Sequence, residues 1–163
     1  MLTLEKPRRL VEGHGPKDAL IIGVGEAPGA YEEAQLRPFV GPAGGVLEQC
    51  LHAAGLIRSE VYLTNVVKER PRANDITPFF NGSTFSSDGI SWVQSLKEEI
   101  NSLQPNILVA FGKTAMAALT GDTRITKLRG YVLDPVKDIT SCCKVIPTIH
   151  PAASLYDKKG GNK

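Results

Sequence analysis

The chain has 163 residues, 42% of them hydrophobic and 22% charged, which suits one globular domain able to bury roughly 70% of its unfolded surface. A net charge of +2 excludes a polyelectrolyte that binds through its whole surface, so any nucleic-acid affinity has to come from a local basic patch. The sequence contains no signal peptide and no apolar run of transmembrane length, so no membrane partner is expected.

Strand-like and helix-like segments alternate along the chain, the pattern of an α/β domain with a mainly parallel sheet. Residues 1–18 hold Pro7, Pro16 and glycines with little periodicity, and read as a partly ordered lead-in. Ala19 to Val24 is a continuous apolar run, as for a strand covered on both faces. Gly44 to Ala54 carries Val46, Leu47, Cys50, Leu51 and Ala54 at helical spacing, with Gly55 able to close the helix. Val61 to Val67 is the second strand. Residues 72–90 are polar and turn-rich around Phe79, Phe80 and Phe85, a long loop or insertion whose aromatics are expected to tuck back onto the surface. Ser91 reads as the cap of a helix whose Trp92, Leu96, Ile100 and Leu103 form one stripe, ended by Pro105. Ile107 to Phe111 is the third strand, and Lys113 to Leu119 a helix stopping at Gly121. Val145 to Ile149 is the fourth strand, where Pro147 marks an edge or a strand end. The fold class expected is α/β, a three-layer α/β/α sandwich around a four-stranded, mainly parallel sheet, in one domain over residues 1–163.

The cysteines are Cys50, Cys142 and Cys143. Two adjacent thiols suit neither a disulfide framework nor a CxxC metal site, and Cys50 at its helical spacing reads as a small buried apolar residue. A reducing, cytoplasmic setting and a monomer are expected. Basic residues cluster at Lys68, Arg70 and Arg72; at Arg124, Lys127 and Arg129; and at Lys158, Lys159 and Lys163. Each cluster is either a phosphate-contacting patch or ordinary solvated charge.

Three polar stretches follow the apolar runs: Gly25-Glu26-Ala27-Pro28-Gly29, Thr64-Asn65-Val66-Val67-Lys68 and His150-Pro151-Ala152-Ala153. In an open parallel sheet the C-terminal strand ends share one rim, where ligands bind. Residues far apart in sequence can therefore face one pocket. The first stretch, with Glu32 and with Arg37-Pro38-Phe39-Val40-Gly41-Pro42-Ala43-Gly44, resembles the first motif of family 4 uracil-DNA glycosylases. The second, with Arg70-Pro71, is similar to the family's middle motif. Leu128-Arg129-Gly130 and Pro147-Thr148-Ile149-His150-Pro151-Ala152-Ala153 are similar to its closing motifs. Order and spacing are kept from Ala19 to Leu155.

The resemblance implies an enzyme that flips uracil out of single- or double-stranded DNA and hydrolyses its glycosidic bond. A flipped base needs a pocket that stacks on its face and reads its edge. Phe39 is the implied stacking face. Asn65 offers an amide that donates to uracil O4 and accepts from N3–H, polarities that cytosine reverses. His150 is the implied donor to uracil O2, where negative charge develops as the base leaves. Glu32 is the implied partner of the attacking water, or else a first-turn helix acid, and Glu26 shapes the loop beside the catalytic groups. The backbone through Gly25, Ala27, Pro28 and Gly29 is expected to contact the base or a phosphate, since glycines let a ligand approach closely. Lys68, Arg129, Pro151, Ala152, Ser154 and Leu155 are the implied DNA contacts, with Leu155 or Ser154 as the wedge that fills the flipped base's place.

The chain departs from the family in two respects. Typical members hold an iron–sulfur cluster on four cysteines, in a CxxC near the N-terminus and around the middle motif. Here no cysteine precedes Cys50 and none lies between Thr64 and Trp92, so no cluster and no metal is expected, and the 72–90 segment is a candidate for the cluster's structural role. The family also continues into a further helix where this chain reaches Gly160-Gly161-Asn162-Lys163. Cluster-free domains of this type begin some phage DNA polymerases, so the chain reads either as a curtailed domain or as the front of a longer polypeptide. The alternative function is a catalytically weak or inactive module that binds DNA or a polymerase partner. A nucleotide-binding module is disfavoured, because neither a P-loop nor a dinucleotide fingerprint is present.

Overall fold

The computed structural model describes residues 7–140 and 143–157. Cys142, the lysines Lys158, Lys159 and Lys163 and the Gly160-Gly161 end lie outside the described residues.

Four short strands form the sheet: β1 (Ile21–Gly25), β2 (Tyr62–Asn65), β3 (Ile107–Phe111) and β4 (Lys144–Thr148). All pair in parallel in the order β2-β1-β3-β4. The register sets Gly25 opposite Asn65 and Phe111 opposite Thr148, so all four strands end along one rim. β4 is an edge strand, where Pro147 lacks only a donor that no further strand needs. Its outer side is covered by the Leu133–Val145 bridge and by the Gly130 amide, which donates to the Pro147 carbonyl at 2.8 Å.

Alternation along the strands gives each face its own core. Ile22, Val24, Tyr62, Leu108, Ala110 and Val145 face one way, under α3 (Ser87–Leu103) and α4 (Lys113–Thr120), which contribute Leu96, Ile100, Met116 and Leu119. Ile21, Leu63, Val109 and Phe111 face the other way, under α2 (Pro42–Ala53), which contributes Leu47 and Leu51. The result is the three-layer sandwich expected. Among the described residues, no helix is long and apolar enough to cross a membrane.

Several boundaries differ from the sequence reading. The lead-in is tied down from Pro7 onward: Leu10 bridges Glu69, and His14 exchanges two backbone hydrogen bonds with Leu63, covering the β2 edge. The cap of α3 is Ser86 rather than Ser91; its hydroxyl accepts from the Gly89 amide at 3.1 Å. Ser91 lies inside the helix and donates to the Ser87 carbonyl. Cys50 is exposed rather than buried, because α2 turns Leu47 and not its neighbours fully onto the sheet. The 72–90 segment is built rather than loose. It holds a 3-10 turn at Arg72–Asn74 and a Phe80–Phe85 bridge, and Phe79 and Phe85 pack against the larger core. Of three short helices, α5 (Ile125–Leu128) and α6 (Ala153–Asp157) were not foreseen, and α1 (Ala30–Gln35) was foreseen only through the reading of Glu32 as a first-turn acid, the place it holds.

Candidate active site

The loops along the rim enclose a cavity of about 420 Å³. The β1–α1 loop and α1 contribute Ala27, Gly29, Ala30, Tyr31 and Glu32. The turn into α2 contributes Phe39, Gly41, Pro42 and Ala43. Asn65 closes the floor at the end of β2, Asn74 stands on the segment beyond it, and His150, Ala152 and Leu155 follow β4. A larger open depression beside α2, about 730 Å³ and lined by Glu48, His52 and Arg58, holds none of the expected site residues.

Glycines in β1 make room for this arrangement. A Cβ at Gly23 would strike the Phe111 and Leu63 side chains, and two residues on, on the same face, a Cβ at Gly25 would lie 2.4 Å from Asn65 Oδ1 and 2.7 Å from Phe39 Cζ. The missing side chain of Gly25 is thus the space in which the Asn65 amide and the Phe39 ring meet. Phe39 is 4% exposed and has φ of +53°, a left-handed conformation uncommon for a bulky L-residue. Its ring packs edge-on to Phe111 with centroids 5.6 Å apart and faces the His150 ring at 6.1 Å and 25°. Asn65 is 3% exposed, yet its side-chain amide makes no hydrogen bond among the described residues. It opens into the cavity instead.

His150 is half-buried, and its Nδ1 accepts the Ala152 amide at 3.1 Å. With Nδ1 as acceptor, the neutral ring carries its proton on Nε2. Burial lowers the His150 pKa below its usual 6.5, and the Glu32 carboxylate offsets part of that shift. Glu32 is buried at the start of α1. Its Oε2 accepts the Gly29 amide at 3.1 Å and its Oε1 the Gly41 amide at 3.0 Å. One carboxylate therefore ties together the two loops that bound the cavity.

The remaining expected residues divide by location. Glu26 does not line the cavity; its carboxylate accepts from the buried Thr114 hydroxyl at 2.5 Å, across to the first turn of α4. Pro28 is buried behind the loop and Pro151 behind His150. Ala152 and Leu155 line the cavity, whereas Ser154 is exposed and its hydroxyl donates to the Pro151 carbonyl. Arg129 is exposed at the end of α5, beside the rim, with no ion pair among the described residues. Lys68 is a correction. It is 4% exposed, and its ammonium donates to Thr64 Oγ1 and Glu99 Oε2, each at 2.5 Å, and to the Asn65 carbonyl at 2.8 Å. With all three protons spent inside the fold, it has none for a phosphate; its stem lies against the core and its charge is neutralised by Glu99.

Sequence reasoning missed Tyr31, Asn74, Thr114 and Arg58. Thr114 could have been found, since it sits just past the end of β3 on the shared rim. Tyr31 and Asn74 carried no signal, because neither lies in a periodic segment. Arg58 reaches the Phe39 loop from a 3-10 turn, Arg58–Glu60, 19 residues away in sequence.

An iron–sulfur cluster does not fit these residues. A cubane takes four thiolates; the chain has three cysteines, with Cys50 on the exposed side of α2 and Cys143 buried ahead of β4. Among the described residues, no group of three or more His, Cys, Asp or Glu side chains is placed to hold a metal ion.

The family model described as the uracil DNA glycosylase superfamily matches residues 12–163. A type-4 uracil-DNA glycosylase of Thermotoga maritima is 37% identical over 151 residues, covering 91% of this chain and 73% of that protein. One from Archaeoglobus fulgidus is 36% identical over 152 residues, covering 90% of this chain and 72% of that protein. A DNA polymerase of Bacillus phage SP01 is 32% identical over 150 residues, which span 91% of this chain and 15% of the polymerase.

Proposed function

The chain belongs to the uracil-DNA glycosylase superfamily, and from that premise we propose how its own residues remove uracil from DNA. It is a DNA repair glycosylase that hydrolyses the N-glycosidic bond of uracil and leaves an abasic site. The flipped base lies on the Phe39 ring with its Watson–Crick edge on Asn65, whose amide donates to O4 and accepts from N3–H. As the glycosidic bond lengthens, electrons move onto the base and the sugar gains oxocarbenium character. The His150 Nε2–H, held in place by the Ala152 amide on Nδ1, donates to O2 of the departing uracil anion. A donor preorganised for developing charge contributes about 10²–10³ in rate. Each Glu32 oxygen keeps a lone pair beyond its backbone amide bond. That carboxylate favours the cationic sugar and orients the water that attacks C1′. Arg129 and the Pro151–Leu155 segment hold the DNA, with Leu155 filling the vacated stack.

The observation that carries this course is the Asn65 amide, nearly fully buried and unbonded in a cavity shared with Phe39 and His150. Its donor and acceptor open only to the cavity, so a base edge lodged there can take up both. The test is incubation with a uracil-containing oligonucleotide followed by alkali. Abasic sites are expected from the wild type, and orders of magnitude fewer from Asn65→Ala and His150→Ala, with DNA binding little changed.

The protein works without an iron–sulfur cluster, a reading supported by its three cysteines, one short of a cubane's four; iron content and visible absorbance of the purified protein test it, and its molar mass in solution tests whether it is a monomer. Its DNA substrate supports an intracellular setting. A second reading, a domain serving a DNA polymerase, is favoured by the similarity to part of the phage polymerase. It requires a wild-type protein that binds DNA and yields no abasic sites.

A further inference from the structure

We propose that Arg58 is a positioning residue for uracil excision, acting through the backbone on either side of the Phe39 ring. The proposal rests on Phe39 being the face on which the flipped base stacks.

Arg58 opens the 3-10 turn after α2 and does not line the cavity. Its guanidinium reaches back to the Phe39 loop, where Nη1 donates to the Phe39 carbonyl and Nη2 to the Pro38 carbonyl. Among the described residues, no other donor reaches either carbonyl. Glu48 on α2 holds the same guanidinium through a 3.3 Å contact with Nη1. The side chain is 16% exposed, so this bidentate clamp works largely out of water.

The clamped segment is under strain. Phe39 is held at φ +53°, and its carbonyl is pressed against the first turn of α2, where a Cβ at Gly44 would lie 1.9 Å from it. Strained backbone of this kind persists only when its surroundings over-determine it. Three constraints do so here: the Gly44 contact beneath the carbonyl, the Glu32 bond to the Gly41 amide, and the Arg58 fork on two successive carbonyls. Only the last fixes the orientation of the Phe39 peptide groups themselves, and with it the tilt of the ring toward His150. A lysine, with one point charge on a flexible stem, cannot span both carbonyls in a planar fork.

Single-turnover excision is measured for wild type, Arg58→Lys, Arg58→Gln, Phe39→Leu and Phe39→Leu/Arg58→Gln, with DNA affinity and thermal stability alongside. Arg58→Lys is expected to fold and to lose about 10- to 100-fold in rate, the scale of a sub-ångström to 1 Å misplacement, with DNA affinity within about twofold of wild type. Phe39→Leu is expected to be slow, and the double variant no slower than Phe39→Leu alone, because Arg58 acts only through that ring. A merely structural role would instead lower stability and add its cost independently of Phe39. Millimolar methylguanidinium should restore part of the rate to Arg58→Gln and leave Phe39→Leu unchanged.

A wild-type rate for Arg58→Lys, or additive losses in the double variant, overturns the proposal. Should Arg58→Gln not fold, Arg58→Lys decides alone. A wild-type rate for Phe39→Leu overturns the stacking role itself, whereas a slow Phe39→Leu beside a wild-type Arg58→Lys defeats only the inference about Arg58.

Discussion

The most demanding prediction concerns a single added methyl group, Gly25→Ala. A Cβ there lies 2.4 Å from Asn65 Oδ1 and 2.7 Å from Phe39 Cζ, where ordinary contact begins at 3.4 Å. The amide oxygen must retreat by about 1.0 Å and the ring by about 0.7 Å. Both atoms end side chains, so the clash is relieved by turning the amide and the ring out of place rather than by shifting the strand. The Asn65 backbone is paired with β1 on one side, and its carbonyl accepts from Lys68 on the other. Phe39 is wedged between Phe111 and the Gly44 turn. A 1 Å misplacement of groups that orient a substrate costs about 10²-fold, which is about 2.7 kcal/mol of transition-state stabilisation. The overpacking itself costs about 1–3 kcal/mol of fold stability. Single-turnover excision from a uracil oligonucleotide, with a melting curve on the same sample, separates the two effects. The expected variant is folded, binds DNA and is about a hundredfold slower. Wild-type excision by the Gly25→Ala variant would refute the claim that Gly25, Asn65 and Phe39 form one tightly filled floor.

The excision rate should keep its value to lower pH than an ordinary imidazole allows, since burial lowers the His150 pKa from 6.5. It should fall only in more acid solution, where a proton on Nδ1 would oppose the Ala152 amide. Because the unfolded chain takes up that proton first, the His150 contribution to stability is full above pH 6.5 and is lost as pH drops through the folded pKa. Paired pH profiles of rate and melting temperature check both, and an acid limb already centred at 6.5 contradicts them. Lys68→Met should cost about 1–3 kcal/mol in chemical denaturation, because Glu99 loses its ion pair but keeps the bonds from the Tyr62 and Thr64 hydroxyls, while leaving the salt dependence of DNA binding unchanged. Arg129→Gln should do the reverse, lowering the salt slope by about 1 with stability within about 0.5 kcal/mol of wild type. A reduced slope for Lys68→Met with unchanged stability would return that lysine to the DNA face.

The parts of the fold legible in the sequence are those where one physical signal dominates. Ile107–Phe111 is an uninterrupted apolar run, and the strand occupies those residues without a shift. Pro147 signalled an edge, and β4 is one. Phe39, Asn65 and His150 were legible through the family resemblance of the motifs that hold them, since taken alone the Phe reads as core and the Asn as a turn former, and they line one cavity. Elements held by tertiary bonds were not legible from periodicity. α1 is six residues long with no apolar stripe; it starts where Glu32 reaches back to the Gly29 amide, a local capping bond, and across to Gly41. Cys50 shows the limit of periodicity, which identifies a helix but not how far its stripe wraps toward the sheet. Lys68 shows the limit of charge, since a lysine that ends in Glu99 and two oxygens of β2 looks in sequence like any basic surface residue. Arg58 depends on a fold-back to residues 38 and 39 that no local pattern announces.

The most direct measurement compares base release from two duplexes that differ only in uracil or cytosine at one position, for wild type and Asn65→Ala. Wild type should release uracil at least about 10⁴-fold faster than cytosine, as a site built to bond one edge rejects the edge that leaves it unpaired. Asn65→Ala should lose nearly all of its uracil release while still binding the duplex. Equal release of both bases by wild type, or undiminished uracil release by Asn65→Ala, would contradict the assignment of the Asn65 amide as the group that reads the flipped base.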